Sequence, residues 1–429
     1  MPGVPRFERL EQWLEWQQQL HPTTIELGLD RVARVLSRTG WRRPAVPFIT
    51  VGGTNGKGSC VALLDALLRA GGHHVVTFTS PHLVDYRERI RIDGAMVSEV
   101  ALVTAFERIA EALGPDSLTF FEFNTLAALL VAEAARPAAV ILEVGLGGRL
   151  DAVNVVDPDV AVVVSVGLDH MDWLGPDEES IGREKAGIFR AGKPAIYGSP
   201  QPPRSLRETA ARIGATLSVR GEDFDGIERD AGQWDFHAGG QVRESGLPLP
   251  ALPGKIQVAN AATALMALTA LSSRLPLSRA ALDIGLRTVT LAGRLQRIED
   301  PRGFHWILDV AHNPAAAAAL AGSLRDAPAA GRTLAVCGML GDKDVEGVVG
   351  LLAGGVDEWF AAELEGPRAL PAAELAGRAA RAGVAMQPAG TVAEAMSRAA
   401  DRARPGDRIL VFGSFHTVGP ALVALDVPL

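Results

Sequence analysis

An apolar stretch that runs into a glycine-rich turn is the strongest local signal in the sequence: residues 48–59 read Phe-Ile-Thr-Val-Gly-Gly-Thr-Asn-Gly-Lys-Gly-Ser. Glycine adopts positive φ without strain, so the backbone N–H groups of this turn can point inward. A helix expected over residues 57–70 would aim the positive end of its dipole at the same place. Lys57 is then expected to reach the β- and γ-phosphates of a nucleotide, and Ser59 to hold Mg²⁺. The pattern predicts a phosphate-binding loop.

The spacing of this loop departs from the common GxxxxGK[ST] pattern. Gly58 separates Lys57 from Ser59, and no glycine stands five positions before Gly56. An ordinary strand-to-helix turn is the alternative interpretation. Strand, loop, Lys, Ser and an amphipathic helix nevertheless follow one another in the order that phosphate binding requires, which favours a nucleotide site.

Length and charge limit the classes of protein to consider. A chain of 429 residues is expected to form two domains, predicted here as residues 1–291 and 292–429. The net charge of −8 argues against nucleic acid as a partner, and no apolar run is long enough to predict a membrane partner. Cys60 and Cys337 are expected to be buried thiols in a reducing cytoplasm, and the N-terminus does not resemble a signal peptide.

Strand and helix patterns alternate along most of the chain, which predicts an α/β fold. In the first domain the predicted strands are 75–79, 138–143 and 160–166, the predicted helices 98–113, 124–135 and 258–271, and residues 194–250 are expected to form short strands and turns. In the second domain the predicted strands are 305–309, 332–337, 355–361 and 407–412, with helices beginning near 314, 344, 371 and 392. The second pattern predicts a smaller, doubly wound, Rossmann-like domain.

Polar side chains stand at the ends of the predicted strands, where open α/β sheets collect ligands. Ser80, Glu143 and His170 are candidate ligands for a metal that accompanies a nucleoside triphosphate, although His is unusual for Mg²⁺. Taken singly, Glu143 fits a capping carboxylate and His170 a hydrogen-bonded structural histidine. Together with the glycine loop they favour a metal site.

Lysine is rare in this sequence, since only residues 57, 185, 193, 255 and 343 are lysine among 42 Lys and Arg residues. A lysine in an arginine-using chain can mark a place that needs a compact ammonium or a reactive amine. The argument singles out Lys57 and Lys185. For Lys185 the alternative is a surface lysine paired with Glu184 or Asp172.

Many ordered segments resemble one enzyme family. They are 53–59, 80–83, 118–122, 141–151, 168–175, 178–189, 309–314, 338–344 and 413–418. The glycine loop by itself resembles the Mur-ligase superfamily of ATP-dependent amide ligases, and the whole set resembles the bacterial bifunctional dihydrofolate synthase/folylpolyglutamate synthases. The likeness spans both predicted domains, and it implies a Mur-ligase-like ATPase domain followed by the Rossmann-like one.

The resemblance implies roles for individual residues. Nucleotide contacts are expected from Thr54, Asn55, Gly56, Lys57, Gly58, Ser59, Asn260, Arg294 and Asp309. Metal ligands are expected at Ser59, Ser80, Glu143, His170 and Lys185, the last as a carbamate. The expected catalytic residues are Lys57, Lys185, His170 and Arg294. Ala292 stands where the family usually has a proline before Gly-Arg, which leaves Arg294 in place.

Substrate contacts are implied in both domains. A pterin site is expected from Pro22, Thr23, Thr24, Ile25, Thr119, Phe120, Phe121, Glu122, Leu150, Asp151 and Ala152, with His82 as a further substrate contact. A glutamate site is expected from His312 and Ser414, with Lys343 as a weaker candidate. Core packing is the alternative for one of the two phenylalanines.

The implied reaction joins L-glutamate to dihydropteroate, giving 7,8-dihydrofolate, and to reduced folates, through an acyl phosphate and with release of ADP and phosphate. ATP, Mg²⁺ at two sites and a K⁺ ion are the implied cofactors, and the family suggests a monomer. The alternative is a folylpolyglutamate synthase without dihydrofolate synthase activity. A peptidoglycan-precursor ligase would need a larger domain before Gly52, and a guanine-nucleotide switch would need an Asn-Lys-x-Asp motif that the sequence lacks.

Overall fold

The computed structural model describes residues 6–230 and 232–427, which form two compact units. The first unit contains the chain up to Pro81, Arg87–Ala251 and Gln257–Val289. The second contains two short segments, His82–Tyr86 and Leu252–Ile256, and the chain from Thr290 onward. A single cut in the sequence does not reproduce these units, because two short segments leave the first unit and return to it.

The first unit alternates strands and helices for most of its length. Its strands are β1 (Phe48–Gly52), β2 (Val75–Phe78), β3 (Ile90–Ile92), β4 (Ala95–Met96), β5 (Ala139–Glu143), β6 (Val160–Val163), β7 (Pro194–Tyr197), β8 (Thr216–Val219), β9 (Phe224–Arg229), β10 (Gln233–Ala238) and β11 (Gln241–Pro248). Its helices are α1 (Leu10–Gln19), α2 (Asp30–Arg38), α3 (Lys57–Ala70), α4 (Glu99–Ala112), α5 (Phe120–Ala135), α6 (Met171–Leu174), α7 (Glu178–Lys185), α8 (Arg204–Ile213), α9 (Ile256–Thr269) and α10 (Arg279–Thr288).

The large sheet of this unit has the strand order β4-β3-β2-β5-β1-β6-β7-β8. The strands from β2 to β8 in this order are parallel, and β3 and β4 extend the sheet antiparallel. Strand β1 is buried throughout and pairs with β5 and β6, with Val51 opposite Glu143 and Gly52 opposite Val163. The carboxyl ends of these three strands therefore meet at one edge of the sheet, where the glycine loop begins.

Helix starts follow from local capping. Helix α5 begins at Phe120, four residues before the predicted start, because the side chain of Thr119 accepts from Glu122 N and Glu122 accepts from Thr119 N. This capping box lies before the predicted start at Asn124, so that predicted start is wrong. Helix α8 was likewise missed in the region predicted as strands and turns, which also contains the antiparallel sheet β11-β10-β9.

The second unit is a doubly wound α/β domain. Its strands are β12 (Gln296–Glu299), β13 (His305–Asp309), β14 (Thr333–Cys337), β15 (Glu358–Glu363), β16 (Met386–Thr391) and β17 (Arg408–Phe412), and its helices are α11 (Pro314–Asp326), α12 (Val345–Leu352), α13 (Ala372–Arg381), α14 (Val392–Arg402) and α15 (Phe415–Ala424). The sheet order is β12-β13-β17-β14-β15-β16, parallel except for β12.

Apolar side chains cover both faces of this second sheet. Along β17, Leu410 and Phe412 pack into one buried cluster while Ile409 and Val411 pack into the other. Burial on both faces is what a parallel strand requires, because helices lie on both sides of it. The predicted Rossmann-like architecture is confirmed, whereas β12 and β16 were not foreseen.

Both cysteines are buried, as predicted, and both are free thiols. Burial raises the pKa of the Cys60 thiol to about 12, with a smaller contribution from the charge of Glu143. Neither cysteine is therefore suited to act as a nucleophile at neutral pH. Within the described part of the chain, no helix has the length and apolar character needed to cross a bilayer.

Candidate functional site

The turn between β1 and α3 needs glycine at two positions. Gly53 has φ +144°, and a Cβ there would lie 3.1 Å from the Ser165 backbone nitrogen. Gly56 is the left-handed N-cap of α3 with φ +85°. A Cβ at Gly56 would lie 2.8 Å from Val164 Cγ1 and 3.1 Å from Asn260 Oδ1. Backbone, not side chains, therefore lines this turn, and the amino end of a helix of 14 residues opens into it.

The segment after β6 holds the loop from one side. Thr54 N donates to Ser165 O at 2.8 Å, and the Thr54 hydroxyl exchanges hydrogen bonds with the Gly167 backbone at 3.1 Å. Ser165 Oγ accepts from Asn55 N and donates to Asn55 O, both at 3.0 Å. Residues 164–167 thus fix the conformation of the loop. The sequence analysis missed Ser165 and Gly167, because nothing local shows that they face residues 110 positions earlier.

Lys57 and Ser59 lie in the first turn of α3. Lys57 Nζ folds back over the loop and donates to Gly53 O at 3.1 Å and Thr54 O at 3.4 Å. Ser59 is almost fully buried. Asn260, on α9, donates to Gln257 Oε1 and lies beside Gly56. The structure therefore brings together the predicted loop residues Thr54 to Ser59 with Asn260.

We expect Gly56→Ala to weaken ATP binding by about tenfold or more, because the added methyl crowds Val164 and Asn260 and the left-handed backbone costs about 1–2 kcal/mol in any other residue. Gly72→Ala is the matched control, since Gly72 also has φ +78° but has no atom within 4 Å of its added Cβ. Calorimetric titration with ATP measures both variants. Equal affinity of Gly56→Ala and wild type would contradict the proposed use of this loop.

The predicted metal ligands of the first unit lie at strand ends. Glu143 is buried at the end of β5, and its Oε2 accepts from Ser80 N at 3.1 Å. His170 has φ +51° and is the N-cap of α6, with its N donating to Asp169 Oδ1. The described residues contain no cluster of three or more His, Cys, Asp or Glu that would hold a metal by itself. The candidate protein donors here are Ser59, Ser80, Glu143 and His170, so a Mg²⁺ ion bound at this edge would take its remaining ligands from phosphate oxygens and water.

Lys185 is buried at the end of α7, with 4% of its surface exposed. Burial and, to a smaller extent, the nearby charge of Lys57 lower the pKa of its amine to about 7, while Asp169 and Asp151 oppose the shift. The alternative of a surface lysine paired with Glu184 or Asp172 is wrong, because the Lys185 side chain is buried, and Glu184 is instead paired with Arg149 at 2.9 Å. A buried amine beside acidic residues, with a pKa near neutrality, is a chemically unusual lysine.

The segments predicted to bind the pterin differ in exposure. Pro22, Thr23 and Thr24 are exposed and Ile25 is partly buried, whereas Thr119 and Glu122 are buried as the capping box of α5. The centroid of the Phe120 ring lies 5.4 Å from the guanidinium carbon of Arg89. The ring centroids of Phe121 and Phe78 are 5.8 Å apart.

Asp151 is buried between Leu150 and Ala152 and is held by backbone N–H groups. Its Oδ2 accepts from Leu146 N at 2.8 Å and its Oδ1 from Val153 N at 3.0 Å. Burial raises the pKa of Asp151 to about 6, against these hydrogen bonds and the charge of Lys57. Its first role is thus to cap the turn at 152–155, and any contact with a pterin would be additional.

Two predicted nucleotide contacts lie together in the second unit. Asp309 Oδ2 accepts from Leu295 N at 2.9 Å and Oδ1 from Ala311 N at 2.8 Å. Burial raises the pKa of Asp309, and the charge of Arg294 opposes the shift. Arg294 donates to Gly293 O and lies over the Phe415 ring at 5.3 Å. The carboxylate and the guanidinium thus form one charged patch at the start of this unit.

The remaining predicted contacts of the second unit are placed as follows. His312 Nδ1 donates to Val310 O at 2.8 Å, and Ser414 caps α15 by accepting from His416 N. Lys343 is nearly buried and lies 3.8 Å from Asp342. His82 stacks edge-on against Tyr86 within the short segment that belongs to this unit.

Both units match domains of a known protein family. Residues 51–268 match the Mur ligase middle domain, and residues 293–415 match the Mur ligase glutamate ligase domain. The chain is 46% identical over 418 residues to the dihydrofolate synthase/folylpolyglutamate synthase of Escherichia coli K12, covering 97% of this chain and 96% of the relative. The enzyme of the same name from Haemophilus influenzae is 38% identical over 427 residues, covering 95% and 96%.

Solved structures indicate the same family. The structure of E. coli FolC in complex with DHPP and ADP has a TM-score of 0.92 and 45% identity, covering 98% of this chain and 99% of the other. A bifunctional folylpolyglutamate synthase/dihydrofolate synthase with Mn, AMPPNP and L-glutamate bound has a TM-score of 0.91 and 44% identity, covering 99% and 100%. The chain therefore belongs to the dihydrofolate synthase/folylpolyglutamate synthase family of the Mur ligases.

Proposed function

We propose that this protein is an ATP-dependent ligase that joins L-glutamate to dihydropteroate, giving 7,8-dihydrofolate, and to folylpolyglutamates. The observation that carries the proposal is the glycine loop, in which Gly53 and Gly56 leave no room for a Cβ and Lys57 lies over the turn at the amino end of α3, an arrangement suited to phosphates. Relatives that match this chain from end to end support the substrates, since one was solved with DHPP and ADP and another with Mn, AMPPNP and L-glutamate.

The proposed reaction has two steps. An oxygen of the substrate carboxylate attacks the γ-phosphorus of ATP, the bond to the bridging oxygen breaks, and ADP leaves behind an acyl phosphate. The amine nitrogen of glutamate then attacks the acyl carbon, phosphate leaves, and the nitrogen loses a proton to give the amide. Lys57 neutralises charge on the transferred phosphoryl group, and a bound Mg²⁺ supplies further charge neutralisation. No protein nucleophile is required, in agreement with two buried, inert cysteines.

We further propose the individual roles and setting. Nucleotide contacts come from residues 54–59, Asn260, Arg294 and Asp309. The metal ligands are Ser59, Ser80, Glu143, His170 and carbamylated Lys185. Pterin contacts come from residues 22–25, 119–122 and 150–152, and glutamate contacts come from His312 and Ser414. The enzyme acts as a monomer in the cytoplasm. The acidic net charge means that anionic substrates depend on local positive groups such as Lys57 and Arg294.

Phosphate release tests the proposed function. With ATP, Mg²⁺ and L-glutamate present, we expect release with dihydropteroate and also with tetrahydrofolate, and only background release when either glutamate or the pterin acid is omitted. Both acids are expected to work because each activation ends in the same kind of acyl phosphate. Turnover with tetrahydrofolate but not with dihydropteroate would leave a folylpolyglutamate synthase only. No turnover with either acid would refute the proposal.

A further inference from the structure

The ends of the segment at residues 22–25 are joined by side chains. His21 precedes this segment and Glu26 follows it, and His21 Nε2 lies 2.8 Å from Glu26 Oε2. Pro22, Thr23 and Thr24 are themselves exposed, so burial does not fix their positions. Glu26 and Gly28 also line a cavity of about 460 Å³. The hydrogen bond between His21 and Glu26 restrains the two ends of this exposed segment.

Arg31 connects this segment to the next one proposed to bind the acid. Its Nη1 donates to Glu26 Oε1 at 2.6 Å, and its Nη2 donates to both carboxylate oxygens of Glu122 at 2.8 and 2.9 Å. The Arg31 side chain is 16% exposed and that of Glu122 is 4% exposed, so this ion pair is shielded from solvent. Glu122 in turn caps α5 through Thr119, which fixes the position of the whole 119–122 segment.

Two more contacts complete the network. His21 Nδ1 lies 2.7 Å from the hydroxyl of Ser117, just before the 119–122 segment. With a proton on Nε2, the imidazole donates to Glu26, and Nδ1 pairs with the Ser117 hydroxyl, so both ring nitrogens have a partner. Gly28 N donates to Leu150 O at 3.2 Å, which ties in the 150–152 segment. The hydrogen bonds from His21 and then those from Arg31 hold the pKa of Glu26 below its ordinary value, so Glu26 stays an anion at neutral pH.

We propose that His21, Glu26 and Arg31 form an acceptor clamp, a set of positioning residues that holds the segments 22–25 and 119–122 in place for the pterin-bearing acid, with the backbone of Gly28 tying in the segment 150–152. The inference rests on the proposed function, because those segments are the proposed acid site. When these segments are ordered before the substrate binds, less conformational entropy is lost on binding, and the substrate binds more tightly. The clamp residues touch the segments and need not touch the substrate, so they act on its binding more than on the chemical step.

The test compares two clamp variants with a matched control. Glu26→Gln keeps the shape of a half-exposed side chain but weakens its bonds to His21 and Arg31. Arg31→Lys keeps a positive charge beside buried Glu122, but one ammonium cannot reproduce the fork that holds Glu26 and Glu122 together. Arg34→Gln is the control, because Arg34 lies on the same helix and pairs with Asp116, which keeps its second partner Arg38 at 2.6 Å.

We expect both clamp variants to raise the KM for dihydropteroate by about tenfold, with the KM for ATP and the melting temperature close to those of wild type, and Arg34→Gln to change none of these. In the same variants, amide hydrogen exchange of residues 21–28 should become faster while that of α3 does not. An unchanged KM for dihydropteroate, or an equal rise in the KM for ATP, would overturn the clamp. If wild type does not turn over dihydropteroate at all, the proposed function fails. In that case faster exchange of residues 21–28 in the two variants would still support the clamp, and unchanged exchange would overturn it.

Discussion

Replacing Lys57 by alanine is expected to lower kcat for amide formation by about 10²–10³-fold or more, because Lys57 is the only cationic residue of the glycine loop and is proposed to neutralise the transferred phosphoryl group. The folded state should hardly change. Lys57 Nζ makes only two hydrogen bonds, to Gly53 O and Thr54 O, and their loss costs about 1 kcal/mol each. Steady-state phosphate release and thermal denaturation of the purified variant measure the two quantities separately.

Lys193→Ala is a suitable control for that variant, since Lys193 is about half exposed and pairs with Asp159 at the surface. Its activity should equal that of wild type. Lys57→Arg is informative as well, because arginine keeps the charge but is too large to fold back over the loop in the same way. Full activity in purified Lys57→Ala would remove the ATP-ligase interpretation, whereas lost activity together with a large fall in melting temperature would point to a structural role.

Regular elements were predicted well from sequence where a single local rule decides them. Helix α3 begins at Lys57 and ends at Ala70, as predicted, because Gly56 and Gly71 mark its two ends. The predicted start of helix α5 at Asn124 is four residues late, although Thr119 and Glu122 form a Thr-x-x-Glu capping box that can be recognised in the sequence. This start was therefore within reach of the sequence, whereas the ion pair of Glu122 with Arg31, 91 positions earlier, was not.

The contacts and burial of the site residues were less predictable from the sequence than the residues themselves. The loop, Glu143 and His170 could be named from strand ends, but the contacts of Thr54 with Gly167 depend on how β1 and β6 pair. The burial of Lys185 was within reach of the sequence. Lys185 lies four residues after Ile181, which is buried on the same face of α7, so the helical period alone places it inward.

Arg31 and Glu26 carried no signal that singles them out, because a charged helix start and a charged loop are ordinary surface features. Only the structure shows that one guanidinium joins two carboxylates from different segments. Polar networks of this kind combine residues that are distant in the chain. Their geometry decides whether they fix the position of a site or have no effect on it. A single sequence gives residue types without that geometry.

Lys185 is expected to carry a carbamate in the active enzyme. Its neutral amine nitrogen attacks the carbon of CO₂, an N–C bond forms and a proton leaves, which converts a buried cation site into an anion. Burial favours this product only if a cation compensates the new charge, and Lys57 lies close enough for the two lysine charges to interact. The carbamate oxygens would then add to the proposed donors Ser59, Ser80, Glu143 and His170 for a divalent cation.

We therefore expect Lys185→Ala to lose about 10²–10³-fold in kcat, and acetate or formate to restore part of the activity, because a small carboxylate fits the space left by the side chain and replaces the lost anion. Wild type incubated with ¹³C-bicarbonate should show a carbamate carbon resonance and a mass increase of one CO₂ that Lys193→Ala keeps and Lys185→Ala lacks. An active enzyme with an unmodified Lys185 amine in the presence of bicarbonate would contradict the carbamate. Lost activity that no carboxylate restores would mean that the lysine acts through its own nitrogen.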